Sequence, residues 1–195
     1  MVNLSKIYTK NGDGGMTHIG DSSLVAKDDL RIESNGDVDE LNSVIGLARD
    51  AISKGSDLDE VMSIIQNDLF DVGADLCRPL EEGEEENKYL RIREGNVENI
   101  EKLIDLYNES LKPLNSFVLP GGTTEASRLH VARSVCRRAE RSVWSLAKRE
   151  EINDKIAVYL NRLSDLLFVL ARHANNKGDI DVLWHPGLST VEEEN

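Results

Sequence analysis

Apolar residues recur at intervals of three and four along most of this chain, and the recurrence divides it into five helical stretches. The first stripe, Val38, Leu41, Ile45, Ala48 and Ile52, predicts a helix beginning at Asp37. The second starts at Ser56 or Asp57, where Asp57 with Glu60 has the pattern of a capping box. It runs through Leu58, Val61, Ile65, Leu69, Val72 and Leu76 and ends near Pro79. Val97, Ile100, Ile104, Tyr107 and Leu111 mark a third helix, closed by Pro113. The fourth follows Gly121 and Gly122 with Thr123 or Thr124 as N-cap, and its stripe is Leu129, Ala132, Cys136, Ala139, Val143 and Leu146. Asp154 opens the fifth, which carries Ile156, Leu160, Leu163, Leu167, Leu170 and Ala174 and has Gly178 as its C-cap.

No strand pattern competes with these stripes. The expected fold is therefore all-α: a five-helix antiparallel bundle with short connections. We expect one domain over residues 1–195, with a glycine-bearing N-terminal arm over 1–36, the bundle over 37–178 and a tail over 179–195. The acidic run at 81–87, EEGEEEN, cannot bury itself and is expected to be a mobile, solvated loop without function.

Charge narrows the classes of partner. A net charge of −13 disfavours binding to nucleic acid or anionic membranes, whose phosphates reward a basic face, so any phosphate ligand needs a local exception. No apolar run is long enough to span a bilayer and the N-terminus does not read as a signal peptide, which predicts a cytoplasmic protein. Cys77 and Cys136 stand far apart without ligand spacing and are expected to be reduced thiols. His18, His130, His173 and His185 show no metal-binding pattern.

Four segments could carry chemistry, and in one of them, FVLPGG at 117–122, where an apolar patch meets the turn that launches the fourth helix, packing explains Phe117 without a function. Residues 9–17, TKNGDGGMT, place glycines that let backbone N–H groups approach an anion beside Lys10 and hydroxyl side chains, although the Walker spacing is absent. Taken alone, the segment reads as a turn-rich arm. Arg133, Arg137 and Arg141 recur every four residues on one face of the fourth helix, with Arg138 beside them. Ion pairs explain any one of these arginines, whereas the row as a whole points to an anion such as a triphosphate. Asn161 adjoins the core position Leu160 on the fifth helix, so it either hydrogen-bonds a ligand at a bundle edge or belongs to a buried network. No nucleophile and base pair can be assembled. An enzymatic role would then leave the nucleophile to a substrate and orientation to the protein.

In order, the segments KIYTKNGDGG at 6–15, GDVDELNS at 36–43, FVLPGG at 117–122, HVARSVCRRAER at 130–141 and NRLSD at 161–165 resemble the PduO-type ATP:cob(I)alamin adenosyltransferases across nearly the whole chain. The resemblance implies a ferritin-like helical bundle assembled as a homotrimer, with ATP held between neighbouring subunits. It implies ATP contacts from Thr9, Lys10, Asn11, Gly12, Thr17, His18 and Lys27, completed by Arg137, Arg138, Glu140, Arg141 and Asn161. Asp39 would pair with Arg133 across the subunit boundary, and Phe117 would face the corrin and exclude the lower axial base.

The implied reaction is displacement by Co(I) at the 5′-carbon of ATP, with Mg²⁺ and the basic residues stabilising the departing triphosphate. A cobalamin reductase and an adenosylcobalamin-dependent enzyme are the implied partners. The chain departs from the family pattern at Asn11 and Gly14, and His18 falls at a position that varies within the family. A different class of function also fits these residues, that of a non-catalytic carrier delivering adenosylcobalamin.

Overall fold

The computed structural model describes residues 7–189. The first residue of the motif at 6–15 and the last part of the expected tail, 190–195, lie outside the described residues. Five helices follow a two-stranded hairpin. The strands are β1 (Met16–His18) and β2 (Leu24–Ala26); the helices are α1 (Leu30–Arg49), α2 (Asp57–Cys77), α3 (Glu94–Asn108), α4 (Thr124–Ala147) and α5 (Asp154–Ala174).

The expected stripes are the core. Val38, Leu41 and Ile45 of α1, Ile65 and Leu69 of α2, Leu129, Ala132, Cys136, Ala139 and Val143 of α4, and Leu160, Leu163 and Leu167 of α5 are all buried. α4 lies between α1 and α5, α2 packs on α1, and α3 packs on α5. Polar pairs give the directions. Arg31 of α1 meets Glu150 beyond the end of α4, and Arg128 near the start of α4 donates to the Leu47 carbonyl near the end of α1, so α1 and α4 are antiparallel. Glu94 pairs with Lys155, Glu101 with Arg162, and Tyr107 stacks edge-on with His173, so the neighbours α3 and α5 run parallel. That pairing follows from alternation of direction along five consecutive helices, which leaves odd-numbered ones pointing the same way.

Several boundaries differ from the sequence expectation. α1 begins at Leu30 rather than Asp37, with Asp29 capping it by accepting from the Arg31 N–H at 2.8 Å. Its first turns are held by polar burial, which an apolar stripe does not register: Arg31 donates to the Leu76 carbonyl and to Glu150, and Ser34 meets Ser142 at 3.2 Å. Ser56, accepting from the Asp59 N–H, caps α2 in place of the Asp57 and Glu60 box. Asn175 rather than Gly178 is the C-cap of α5. Gly178 lies three residues on at φ +84°, where its N–H donates back to the Arg172 carbonyl at 2.9 Å.

The two strands depart from the all-helical expectation because three residues are too few to show alternation. Met16 pairs with Ala26, Thr17 with Val25 and His18 with Leu24. The turn between them is built on Asp21, whose carboxylate accepts from both the N–H and the hydroxyl of Ser23.

The acidic run departs most from expectation. Glu84 is only 15% exposed and binds Arg91 in two places. Glu81 gathers Arg78, Lys88 and Tyr89, whose hydrogen bonds, that from Lys88 foremost, hold its carboxyl down at about 2. Arg91 also donates to Asp75, which is buried and accepts further from the Ile92 N–H and the Asn153 amide. The end of α2, the start of α3 and the cap of α5 are thus tied at one polar knot. A run of carboxylates is solvated by default, and only the cations at 78, 88 and 91, brought round by the fold, change that.

Replacing Asp75 with Ala should cost roughly 3 kcal/mol or more of stability in chemical denaturation, since it strands two N–H donors and loosens a buried cation. The Glu81 carboxyl is depressed in the fold, so its contribution is present above 4.5 and lost as pH falls toward about 2. A Glu81→Gln variant should lose that component of the acid transition, as read by unfolding midpoints across this window.

Candidate functional site

α4 is where the candidate residues meet. Its stripe from Leu129 to Leu146 is buried between α1 and α5, which turns the row at Arg137 and Arg141 outward to solvent. Arg137 is exposed, and its guanidinium has no ion pair or hydrogen bond to any described residue. Arg141 donates to the Arg137 carbonyl at 2.9 Å. Arg138 is committed differently, reaching Asp37 at 3.3 Å and Glu40 on α1. Arg133 is half-buried, and its Nε is enclosed without a partner among the described residues. The explanation by ion pairs therefore holds for Arg138 and fails for Arg137.

Asn161 stands across from this row on α5. Its amide donates to Glu140 at 3.2 Å and its oxygen accepts from Arg162 at 2.9 Å, while Arg162 holds Glu101. Asn161 thus belongs to a polar network between α4 and α5, and that network is partly exposed rather than buried. Burial pushes the Cys136 thiol strongly upward, and it donates to the Leu160 carbonyl, so it is a packed thiol.

The arm gathers its own cations. Residues 10–15 form two tight turns, with the Asp13 N–H on the Lys10 carbonyl and the Gly15 N–H on the Gly12 carbonyl. Lys10 adopts φ +65°, a left-handed conformation that costs a side-chain-bearing residue energy. Lys27, returning just after β2, lies directly over Gly12, where an added Cβ would stand 2.8 Å from its Nζ. Lys10, Asn11, Gly12, Thr17, His18 and Lys27 therefore belong to one hairpin unit, and Thr9 leads into it. That unit docks on the end of α2: the Gly20 N–H donates to the Cys77 carbonyl at 2.7 Å and Arg78 donates to the Gly20 carbonyl.

The segment bearing Phe117 lies at the other end of the bundle. Phe117 is 76% exposed. Its backbone is held by the tail: Val118 bridges Leu183, Leu119 donates to the Val182 carbonyl at 2.7 Å, and Trp184 donates to the Phe117 carbonyl at 2.8 Å. The Trp184 ring lies 5.8 Å from the Phe117 ring, so the two form a joint apolar ledge.

Buried Asn175 anchors this end. It accepts from the Thr123 N–H and donates to the Gly121 carbonyl and to Asp181, and Asp181 also receives Arg172 at 2.8 Å. Gly122, at φ +103°, approaches Asn175 so closely that any Cβ would overlap its amide. Sequence reasoning does not reach Trp184 or Asn175. A tryptophan in a charged tail is the available signal for the first, and nothing local marks the second.

Asp39 is exposed on α1, and the single chain does not bring it to Arg133. The arm, docked on α2, and the Phe117 ledge likewise stand at opposite ends of one chain. Among the described residues no group of His, Cys, Asp and Glu could hold a metal ion, and no helix is long and apolar enough to cross a membrane.

The chain is similar to known proteins over most of its length. A family profile described as cobalamin adenosyltransferase matches residues 7–174. A corrinoid adenosyltransferase of Mycobacterium leprae is 47% identical over 190 residues, covering 95% of this chain and 98% of the relative. That of Bacillus subtilis is 44% identical, covering 97% of each. A variant PduO-type ATP:corrinoid adenosyltransferase from Lactobacillus reuteri, complexed with cobalamin and ATP, superposes with a TM-score of 0.84 at 39% identity, covering 92% of this chain and 99% of that one. A second variant of that protein, complexed with ATP, has a TM-score of 0.82 at 38% identity, covering 92% and 100%.

Docking of the arm depends on the bare Gly20, where a Cβ would fall 2.9 Å from that of Arg78 and 3.1 Å from the Cys77 carbonyl. Gly20→Val should raise amide hydrogen exchange and proteolytic cleavage across 9–27 while leaving exchange in α4 and α5 unchanged.

Proposed function

The chain belongs to the cobalamin adenosyltransferase family, and from that membership we infer that it transfers the 5′-deoxyadenosyl group of ATP to the Co(I) of a reduced corrinoid, releasing inorganic triphosphate. The cobalt electron pair forms the new Co–C bond as the bond from C5′ to the phosphate oxygen breaks, and the leaving electrons go to triphosphate. The protein contributes position and electrostatics rather than a nucleophile. The observation that carries the assignment of residues is Arg137, an exposed arginine without an ion pair among the described residues, one helical turn before the Glu140 that Asn161 holds.

In this reading Arg137, Arg141 and the hairpin lysines Lys10 and Lys27 face the phosphates. Gly12 lets the backbone come close, and Thr9, Asn11, Thr17 and His18 supply further polar contacts. Arg138 has to release Asp37 and Glu40, at least in part, if it joins them. Glu140 and Asn161, already hydrogen-bonded to one another, fit a neutral hydroxyl or amine of the nucleoside better than a phosphate.

Mg²⁺ enters as a companion of the triphosphate, whose oxygens are the hard ligands it prefers, and neutralises charge on the leaving group. Phe117 and Trp184 offer the corrin an apolar ledge, and an apolar neighbour disfavours an axial ligand on cobalt.

The arm and the Phe117 ledge stand at opposite ends of one chain, and the Arg133 Nε lacks an acceptor among the described residues while Asp39 is exposed. These facts support a site shared between subunits, in the homotrimer that the family resemblance implies, with one subunit's arm and Asp39 completing the site on its neighbour's α4. Arm, bundle and tail act as one domain. The chemistry further calls for a reductase that delivers Co(I) and an adenosylcobalamin-dependent enzyme that takes the product, both in the cytoplasm.

Anaerobic assay with chemically reduced cobalamin and MgATP tests the reading directly, through loss of the Co(I) spectrum and appearance of light-sensitive adenosylcobalamin. Binding of both substrates without product would favour a carrier instead. Arg137→Ala should weaken ATP binding roughly 10- to 100-fold, the worth of one charge-assisted contact, in calorimetry on folded protein. Phe117→Ala should lower turnover with reduced cobalamin more than ATP affinity. Asp39→Asn should lower the trimer fraction at sedimentation equilibrium and activity in step with it.

A further inference from the structure

His130 takes no part in the contacts proposed above, yet it is the most anomalous polar side chain on α4. It is 1% exposed, and neither ring nitrogen has a hydrogen-bond partner among the described residues. Buried polar atoms are almost always satisfied, because leaving one bare costs about 1–3 kcal/mol, so an imidazole with both nitrogens bare requires an explanation. The Phe168 ring of α5 lies 6.2 Å away in a tilted edge contact that satisfies neither nitrogen.

Position on the helix suggests what the partner is. Residues 130, 137 and 141 share one face of α4, so His130 continues the Arg137 and Arg141 row toward the start of the helix. It lies seven residues before Arg137, or about 10 Å along the axis. It borders a recess of about 370 Å³ with Pro120, Ser134, Arg138 and Arg141. Pro120 follows directly on the segment that carries Phe117, whose ring Trp184 flanks. His130 therefore sits between the apolar ledge at one end of the face and the phosphate-facing arginines at the other, where the two substrates have to meet.

Its charge state chooses between them. Burial, reinforced by the cation of Arg133 and opposed only weakly by Asp181, holds the imidazole neutral. A neutral imidazole presents one N–H donor and one bare nitrogen acceptor. Triphosphate offers acceptors alone and rewards cations. A carboxamide offers a donor and an acceptor, as the imidazole does, and the rim of a corrin ring carries carboxamide side chains.

We propose that His130 hydrogen-bonds a peripheral carboxamide of the corrinoid and so sets the position of the ring relative to the 5′-carbon of ATP; this rests on the reading that the α4 face holds both substrates. His130 is a positioning residue, and it makes no bond to the reacting atoms.

The test compares His130→Phe, His130→Gln and Phe117→Ala in the anaerobic assay, with thermal melts on the same full-length samples. Phenylalanine fills the imidazole space without polar atoms. His130→Phe should therefore melt at or above the wild-type temperature, keep its KM for ATP, and raise KM for cob(I)alamin roughly tenfold, the loss of about one hydrogen bond. His130→Gln, which restores a donor and an acceptor, should recover most of that loss.

A wild-type KM for cob(I)alamin in both His130 variants, with Phe117→Ala impaired, overturns the role of His130 and leaves the site standing. A rise in KM for ATP alone overturns the choice of the corrinoid. If His130→Phe does not fold, the Gln variant decides: intact KM values together with a lowered melting temperature make the residue structural and end the proposal. If Phe117→Ala is unimpaired as well, the reading of the α4 face fails and this inference fails with it.

Discussion

Everything at the site depends on the burial of one side of α4. Six positions from Leu129 to Leu146 are withdrawn completely from solvent between α1 and α5, and no rotation of the helix could bury them without turning the opposite row out. That row holds Arg137 and Arg141, whose like charges repel one another across a single turn. The hydrophobic side supplies the free energy that holds the cationic side together in the absence of a ligand. An acidic protein thereby keeps a local cationic face despite a net charge of −13. The carboxylates of α1 neutralise Arg138, whereas Arg137 has no ion pair among the described residues.

Two polar knots fix the ends of the bundle, and each supports a different part of the chemistry. At one end Asp75, Arg91 and Asn153 join α2, α3 and α5. Through the peptide at 77–78 the same end receives the N-terminal arm. At the other end Asn175, Asp181 and Arg172 clamp the glycines at 121–122 and the returning tail, which presents Phe117 and Trp184 as one ledge. Buried polar groups of this kind add little net stability when fully satisfied, but they penalise alternative arrangements heavily. They determine where the loops sit more than whether the helices form. His130 and the Arg133 Nε are the counterexample, buried polar atoms without a hydrogen-bond partner among the described residues.

How much is legible follows from the range of each signal. The five helices can be read because helical periodicity repeats every few residues, and Thr123 can be read as an N-cap because its hydroxyl precedes the fourth stripe, whereas the Asp57 and Glu60 pattern competes with the Ser56 cap that the fold uses. The first two turns of α1 escape that pattern because Arg31 and Ser34 are buried through partners more than a hundred residues away. The acidic run reads as a solvated loop by composition, whereas the cations that pin Glu81 and Glu84 arrive from the flanking segments when the chain folds back. The three-residue strands of the arm are too short to alternate.

The helical class, the stripes that form the core and, through five ordered motifs, the family and hence the reaction are all written in the amino-acid order, because each depends on residues close together in the chain or on their succession. Folding in three dimensions settles the rest: which arginine is spent on an ion pair and which is free, that Trp184 stands beside Phe117, and that His130 is buried without a partner among the described residues. Those facts are distances between residues far apart in sequence, set by packing and by the competition among nearby charges, and no local pattern records them.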